Sequence, residues 1–267
     1  MKAQRKAFTL IELLVVVAII TLLISILLPS LSAAREQSKR AKCLANLRSF
    51  GAANSVYASE WDGWYMPLYQ NDPIAPTSAK EWTWYKAVEV RNAFGIPQRV
   101  GAPNRWPRNL MCPNATMALD AGTAEGVQVG SVYGYNVTSM RAPTWQKTVS
   151  GSLYFRGIKS NAVTRPADAF AFADALDYQV STSWASGISA TSLYIVNGWQ
   201  EIRPSWQHSL IAYRHSHGAN VSYFDGHAEW LPYQKLMLVN PPGGLVPALS
   251  SKQLGENARR WDYAPVE

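Results

Sequence analysis

Only two cysteines occur in 267 residues, Cys43 and Cys112, and they form no CxxC unit. That scarcity argues against a zinc ribbon or a dithiol redox motif. Charge is sparse as well, at 16% of residues. No basic stripe suited to a phosphate backbone is present, so no nucleic-acid partner is expected. The formal charge of +7 is partly local: Lys2, Arg5 and Lys6 precede a hydrophobic run, and +7 less these three leaves +4. The GxSxG, P-loop, HExxH and dinucleotide fingerprints are missing, which removes the commonest sequence signatures of hydrolases, nucleotide-binding proteins and zinc proteases. Internal repeats and low-complexity tracts are also lacking. What the chain does have is apolar material: 48% hydrophobic residues, with eleven Trp and thirteen Tyr, enough for a real core and unlike a disordered chain.

The longest apolar run is Phe8–Leu31, FTLIELLVVVAIITLLISILLPSL, which carries a single charge, Glu12. A helix of about 20 apolar residues spans a bilayer. A secretory signal peptide, a plain membrane anchor and a buried core helix are the competing readings. Ser32, Ala33 and Ala34 imitate a signal-peptidase site, but the apolar run is longer than such peptides carry. Glu12 argues for an assembling helix. A carboxylate at the centre of a membrane helix costs about 2.5–3.5 kcal/mol on insertion scales. An isolated anchor gains nothing from it, whereas packed helices offset it if a neighbour supplies a cation. A cut before Phe8 would create such a cation at fixed depth, the new terminal amine.

The stretch Lys6-Ala7-Phe8-Thr9-Leu10-Ile11-Glu12-Leu13-Leu14-Val15 resembles the processing signal of type IV prepilins and type II secretion pseudopilins. The resemblance implies that a prepilin peptidase cuts after Ala7 and methylates Phe8. Glu12 then meets the terminal amine of an adjacent subunit. The family usually has Gly before the cut, where this chain has Ala7. Pro29 removes one helical hydrogen bond. In the family a proline here marks where the helix stretches in the filament, and the membrane exit is the compatible simpler reading. Basic residues flank the span on both sides, so counting them does not orient it. The resemblance places the leader in the cytoplasm and the C-terminal domain in the periplasm or outside the cell, with one pass through the inner membrane. The implied partners are the peptidase, copies of the chain or other pilin-like subunits, and an assembly platform.

Beyond the span, Leu31, Ala34, Ala41, Leu44, Leu47, Phe50 and Tyr57 alternate with Arg35, Glu36, Lys39, Arg40, Lys42 and Arg48. This predicts an amphipathic continuation of the helix to about Ser59, ended by Trp61-Asp62-Gly63-Trp64 and Pro67. Short strand-like runs follow at Val127–Tyr135, Ser152–Phe155, Ala169–Ala173, Ser192–Val196, Ser209–Tyr213 and Asn220–Leu231, with proline-bearing loops at 71–80, 95–108 and 240–244. The expected fold is therefore α+β: a long N-terminal helix, membrane half plus amphipathic half, packed on an antiparallel β-sheet domain with long loops. The expected organisation is a leader at 1–7, a transmembrane and assembly helix at 8–31, the amphipathic half at 32–60 and a β-rich extracytoplasmic domain at 61–267.

Asp225-Gly226 between two apolar-alternating runs predicts a hairpin with a two-residue turn. That register pairs Phe224 with His227 and Val221 with Trp230. It puts Val221, Tyr223, Ala228 and Trp230 on one buried face. His215 followed after nine residues by Asp225-Gly226 resembles the H-X9-DG signature found near the C-terminus of many pilin-like proteins with the same N-terminal signal. Cys43-Leu-Ala-Asn-Leu-Arg, Met111-Cys112-Pro113 and Tyr133-Gly-Tyr-Asn136 resemble further pieces of that group. In an extended strand His215 and Asp225 would lie about 33 Å apart, so spacing gives no catalytic dyad. A metal gathered by His215, His217, His227, Asp225 and Glu229 competes with the simpler reading of a turn aspartate and ordinary histidines. Asp168, Asp174 and Asp177 offer oxygen ligands of the calcium type, though in no recognised loop spacing; otherwise no cofactor is expected. Cys43 and Cys112 either pair as a disulfide outside the cytoplasm or stay as buried thiols.

Three functional readings follow. A non-enzymatic filament subunit of type II secretion or type IV pilus type is the main one. The second is a membrane-tethered module that holds carbohydrate or another surface ligand on its tryptophans. A metal-dependent enzyme on the same anchor is the third.

Overall fold

A computed structural model describes residues 9–71, 81–86, 88–96, 105–124, 126–137, 146–149, 152–177, 179–180, 211–238 and 250–261. The chain forms two compact units, residues 1–39 and 40–267. Helix α1 runs from Leu10 to Glu60 and contains Pro29. It closes at Asp62 and Gly63, both at positive φ, with Gly63 N donating to Ala58 O (2.9 Å).

In the first unit α1 presents apolar side chains on every side, with Leu10 78% and Leu31 48% exposed. In the second unit α1 becomes amphipathic. Cys43, Leu47, Phe50, Gly51, Asn54, Tyr57 and Ala58 are buried at three- and four-residue spacing, one face of a helix. The stripe thus begins later than the sequence suggests. Leu31, Ala34 and Ala41 are exposed and Leu44 is half-buried, while Leu47, Phe50 and Tyr57 are buried.

The stripe packs on a sheet. In chain order the elements are β1 (Tyr69–Asn71), β2 (Glu81–Thr83), α2 (Val88–Ala93), β3 (Arg105–Trp106), α3 (Thr116–Asp120), β4 (Val127–Gln128), β5 (Tyr133–Asn136), β6 (Gln146–Val149), β7 (Ser152–Arg156), β8 (Phe170–Asp174), β9 (Gln179–Val180), β10 (Gly218–Tyr223), β11 (Ala228–Pro232) and α4 (Ser251–Trp261). The principal sheet has the order β11-β10-β8-β5-β9. It is antiparallel except at its edge, where β9 runs parallel to β5, so the expected antiparallel sheet is in fact mixed. A four-stranded antiparallel sheet, β2-β1-β7-β6, and the pair β3-β4 complete the strands. The expected run Val127–Tyr135 is broken by a 3₁₀ turn at Val129–Ser131. Ile211 makes one isolated bridge to Ala175 rather than a strand; residues 192–196, 209–210 and the loops at 72–80 and 240–244 lie outside the described residues.

Phe50 is the hub of the helix–sheet core. Its ring lies 4.7–5.9 Å from those of Phe94, Tyr133, Trp84, Phe172 and Trp106, distances at which aromatic pairs attract. A second apolar cluster, with Phe170, Val221, Leu231 and Leu236, is sealed by Trp261 of α4. Trp261 meets Phe170 edge-on at 5.0 Å, and its Nε1 donates to Leu236 O. Gly51 allows α1 to approach the β10–β11 hairpin: a Cβ there would lie 2.5 Å from Ser222 Oγ and 3.1 Å from Gly226 Cα.

The hairpin forms, but its register is one residue away from the expected one. Ser222 pairs with Ala228, Val221 with Glu229 and Asn220 with Trp230. Gly226 N donates to Tyr223 O and Tyr223 N to His227 O, with Gly226 at φ 92°. This is a three-residue loop whose last residue takes positive φ, not the two-residue turn. Phe224 is drawn into the loop because its ring is buried beside Tyr65, 5.0 Å away. Consequently Val221 and Tyr223 share a face with Glu229, and Ser222 shares one with Ala228.

Candidate functional site

At its start α1 is closed by a reciprocal pair. Thr9 N and Thr9 Oγ1 each donate to Glu12 Oε2 at 2.8 Å, and Glu12 N donates back to Thr9 Oγ1 at 3.3 Å. This is a capping box, T-x-x-E, which satisfies backbone donors at the helix start. The signal was readable in Thr9-Leu-Ile-Glu12, and it gives Glu12 a local role that the membrane-cost argument missed. Downstream, residues 10–31 are exposed throughout the chain by itself. The helix is long and apolar enough to cross a membrane. Pro29 lacks the N–H that would bond the carbonyl of Ser25, so the ladder is interrupted there without ending the helix. Ala7 and Phe8 lie outside the described residues.

The sequence-predicted site residues of the second unit separate into two groups. His227, Asp225 and Glu229 are exposed; His227 Nδ1 bonds Asp225 Oδ1 at 2.6 Å, and Tyr223 Oη donates to Glu229 Oε1 at 2.5 Å. His217 is exposed at φ 60°, in the tight turn that bridges His215 to Gly218. His215 instead points inward, fully buried. The five residues proposed to gather round a metal are therefore not gathered. Asp168 is exposed whereas Asp174 and Asp177 are buried.

Among the described residues, the three ligand-type side chains that converge are Cys43, Cys112 and His215, whose donor atoms lie within 4.8 Å of one another. Both cysteines are free thiols. Cys112 Sγ lies 3.3 Å from His215 Nε2, and Asp174 Oδ2 lies 3.7 Å from the same nitrogen. Asn220 donates to Asp174 Oδ2 from its backbone and its side chain, at 2.8 and 3.0 Å. Arg214 is held next to them by donating to the carbonyls of Val132, Ser131 and Ala175. Burial acts most strongly on Cys112 and raises its pKa, yet the hydrogen bonds from Cys43 and His215 and the charge of Arg214 together hold it well below the usual thiol range. Cys43 is pushed up, first by its hydrogen bond to Cys112 and then by burial. Asp174 is pushed up to about 7 by burial and by the charge on Cys112.

Among the described tryptophans, Trp84, Trp106 and Trp261 are fully buried, Trp64 and Trp230 are half-buried, and Trp61 is 51% exposed. A stacking platform for sugars is not formed by the fully buried three.

Residues 2–28 match the prokaryotic N-terminal methylation motif. The chain is 28% identical over 167 residues to the type IV major pilin protein PilA of Myxococcus xanthus (strain DK1622), covering 60% of this chain and 74% of that protein. No solved structure matches. An apolar helix long enough to cross a membrane, carrying the methylation motif and continued by an amphipathic half on a β-sheet, defines an α+β protein of the kind that carries this motif. The chain is thus similar to type IV pilins in its N-terminal motif and over the 167 residues aligned with PilA.

Proposed function

We propose that the protein is a structural subunit of a type IV pilus-like or type II secretion filament. A prepilin peptidase cuts after Ala7 and methylates Phe8. The subunit waits in the inner membrane as a single span, with its leader cytoplasmic and residues 61–267 outside. It is then drawn into the filament through α1 by an assembly platform. The observation that carries this reading is the apolar surface of residues 10–31, exposed all round and broken by one carboxylate, Glu12. Lipid satisfies that surface only while the subunit waits; in a filament, neighbouring helices replace the lipid. Both capping bonds from Thr9 fall on Oε2, so Oε1 is available to the terminal amine of an adjacent subunit. Asymmetric neutralisation of this kind offsets the cost of the charge only in the assembled state.

Mass spectrometry of the mature N-terminus tests the reading. A chain beginning at N-methylated Phe8 is the expected result. An intact Met1, or a terminus created near Ala34, would refute it.

A further inference from the structure

We propose that Cys43, Cys112 and His215 form a buried structural zinc site, with the carboxylate of Asp174 as the nearest source of a fourth ligand. The site lies within the second unit and is independent of the filament reading.

Three observations carry it. The first is donor type and convergence: two thiols and an imidazole with ligand atoms within 4.8 Å of one another match the Cys and His preference of zinc. The second is spacing. Bonds of about 2.3 Å to sulfur and 2.0–2.1 Å to nitrogen at tetrahedral angles set ligand edges of roughly 3.6 Å for S···N and 3.3 Å for N···O. The structure has 3.3 Å from Cys112 Sγ to His215 Nε2 and 3.7 Å from that nitrogen to Asp174 Oδ2. The third is an orphan. Asp174 is fully buried, and its Oδ1 has no hydrogen-bond partner among the described residues. A buried carboxylate with one oxygen left without a partner is costly, and a cation bound near its other oxygen, Oδ2, would offset part of that cost.

Binding has a defined proton balance. Cys43 and Cys112 both bind as thiolates, and any thiol proton either carries is released to solvent. Any proton on His215 Nε2 leaves that nitrogen, and the ring proton is carried on Nδ1. Asn114 Nδ2, which donates to Arg214 O, faces Nδ1 at 3.5 Å; a proton on Nδ1 ends that second contact while the bond to Arg214 O is kept. The metal joins three segments that are remote in sequence: α1 through Cys43, the segment before α3 through Cys112, and the turn before β10 through His215. Its consequence is a head domain whose stability depends on metal.

The test uses the full chain, purified in detergent under reducing conditions and incubated with Zn²⁺ or Co²⁺ alone. Elemental analysis should find about one zinc per chain, and Co²⁺ should give thiolate-to-metal charge-transfer absorption with tetrahedral d–d bands. Chelator should lower Tm and zinc should restore it. Cys112→Ser should weaken zinc binding at least about tenfold. Should that variant fail to fold, the cobalt spectrum and chelator response of the unaltered chain still decide. Any of three results would overturn the proposal: no bound zinc with both thiols still titrating, a Cys43–Cys112 disulfide in protein isolated from cells without reductant, or zinc bound as tightly by folded Cys112→Ser.

Discussion

Replacing Gly51 by alanine sets two effects of opposite sign against each other, and the structure says which should win. In a helix interior Ala is more favourable than Gly by about 0.8–1 kcal/mol. On propensity alone Gly51→Ala should stabilise α1. However, the added Cβ would meet Ser222 Oγ at 2.5 Å, Gly226 Cα at 3.1 Å and Gly226 O at 3.3 Å. The first contact is too close to persist. Ser222 Oγ makes no hydrogen bond among the described residues, so its rotation sacrifices none. The Gly226 contacts are backbone, in a loop held by the bonds of Tyr223 to Gly226 and His227, and they yield only if helix and hairpin separate. Overpacking of this sort costs about 1–3 kcal/mol. The net is a loss of about 1 kcal/mol, or a Tm lowered by about 2–4 °C in a domain of this size. Thermal unfolding of the full chain in detergent, followed by near-ultraviolet circular dichroism, reads the shift. Ser222→Ala alone should be close to neutral. The double variant should lose about as much as Gly51→Ala alone, because the Gly226 contacts remain. If Gly51→Ala raises Tm by the full propensity term, the hairpin does not abut α1 at this point and the packing described above is wrong.

Two further outcomes follow from the same structure. Phe50→Ala removes the ring at the centre of five aromatic neighbours and should cost about 3–5 kcal/mol, seen as a large fall in Tm and loss of near-ultraviolet ellipticity. Glu12→Ala should insert into the membrane at least as well as the unaltered chain but assemble poorly, as read by the ratio of membrane-bound to sheared filament protein; undiminished assembly would remove the charge-pair argument.

The parts of this molecule that could be read in the sequence are those fixed by local pattern. The apolar run from Phe8, the proline within it and the break after Ser59 follow from composition and period, and α1 ends at Glu60. The onset of the buried stripe did not follow. Leu31, Ala34 and Ala41 have the right spacing, but spacing cannot say how much of a helix a domain covers. The hairpin shows the same limit more sharply. Asp225-Gly226 correctly announces a turn, yet its length is decided by Phe224, whose ring is buried against Tyr65 on another segment. Pulling one residue into the loop moves every later side chain to the opposite face.

The buried cluster marks where local reading stops altogether. His215 could be tied by spacing only to Asp225 and its neighbours, and those residues turn out to face solvent. What brings His215 inward is the sharp turn at Ser216 and His217, both at positive φ, which the sequence does not advertise because neither is glycine. What brings Cys43 and Cys112 to it is the packing of α1 on β5 and β8, settled by Phe50, Tyr133 and Phe172. Two isolated cysteines without CxxC spacing carry no metal signal in a linear scan. They acquire one when a helix, a loop and a strand entry converge, because ligand geometry is a property of the fold. The buried polar residues of the second unit are therefore informative: each of Asp174, Arg214 and His215 sits where an apolar side chain would pack at less cost. Arg214 is answered by three carbonyls and Asp174 by Asn220 on Oδ2, with Oδ1 left without a hydrogen bond among the described residues. The carboxylate that carries the unanswered oxygen reaches within 3.7 Å of His215 Nε2 through Oδ2, and the two thiols converge on that same imidazole, which is the physical reason to look for a cation there.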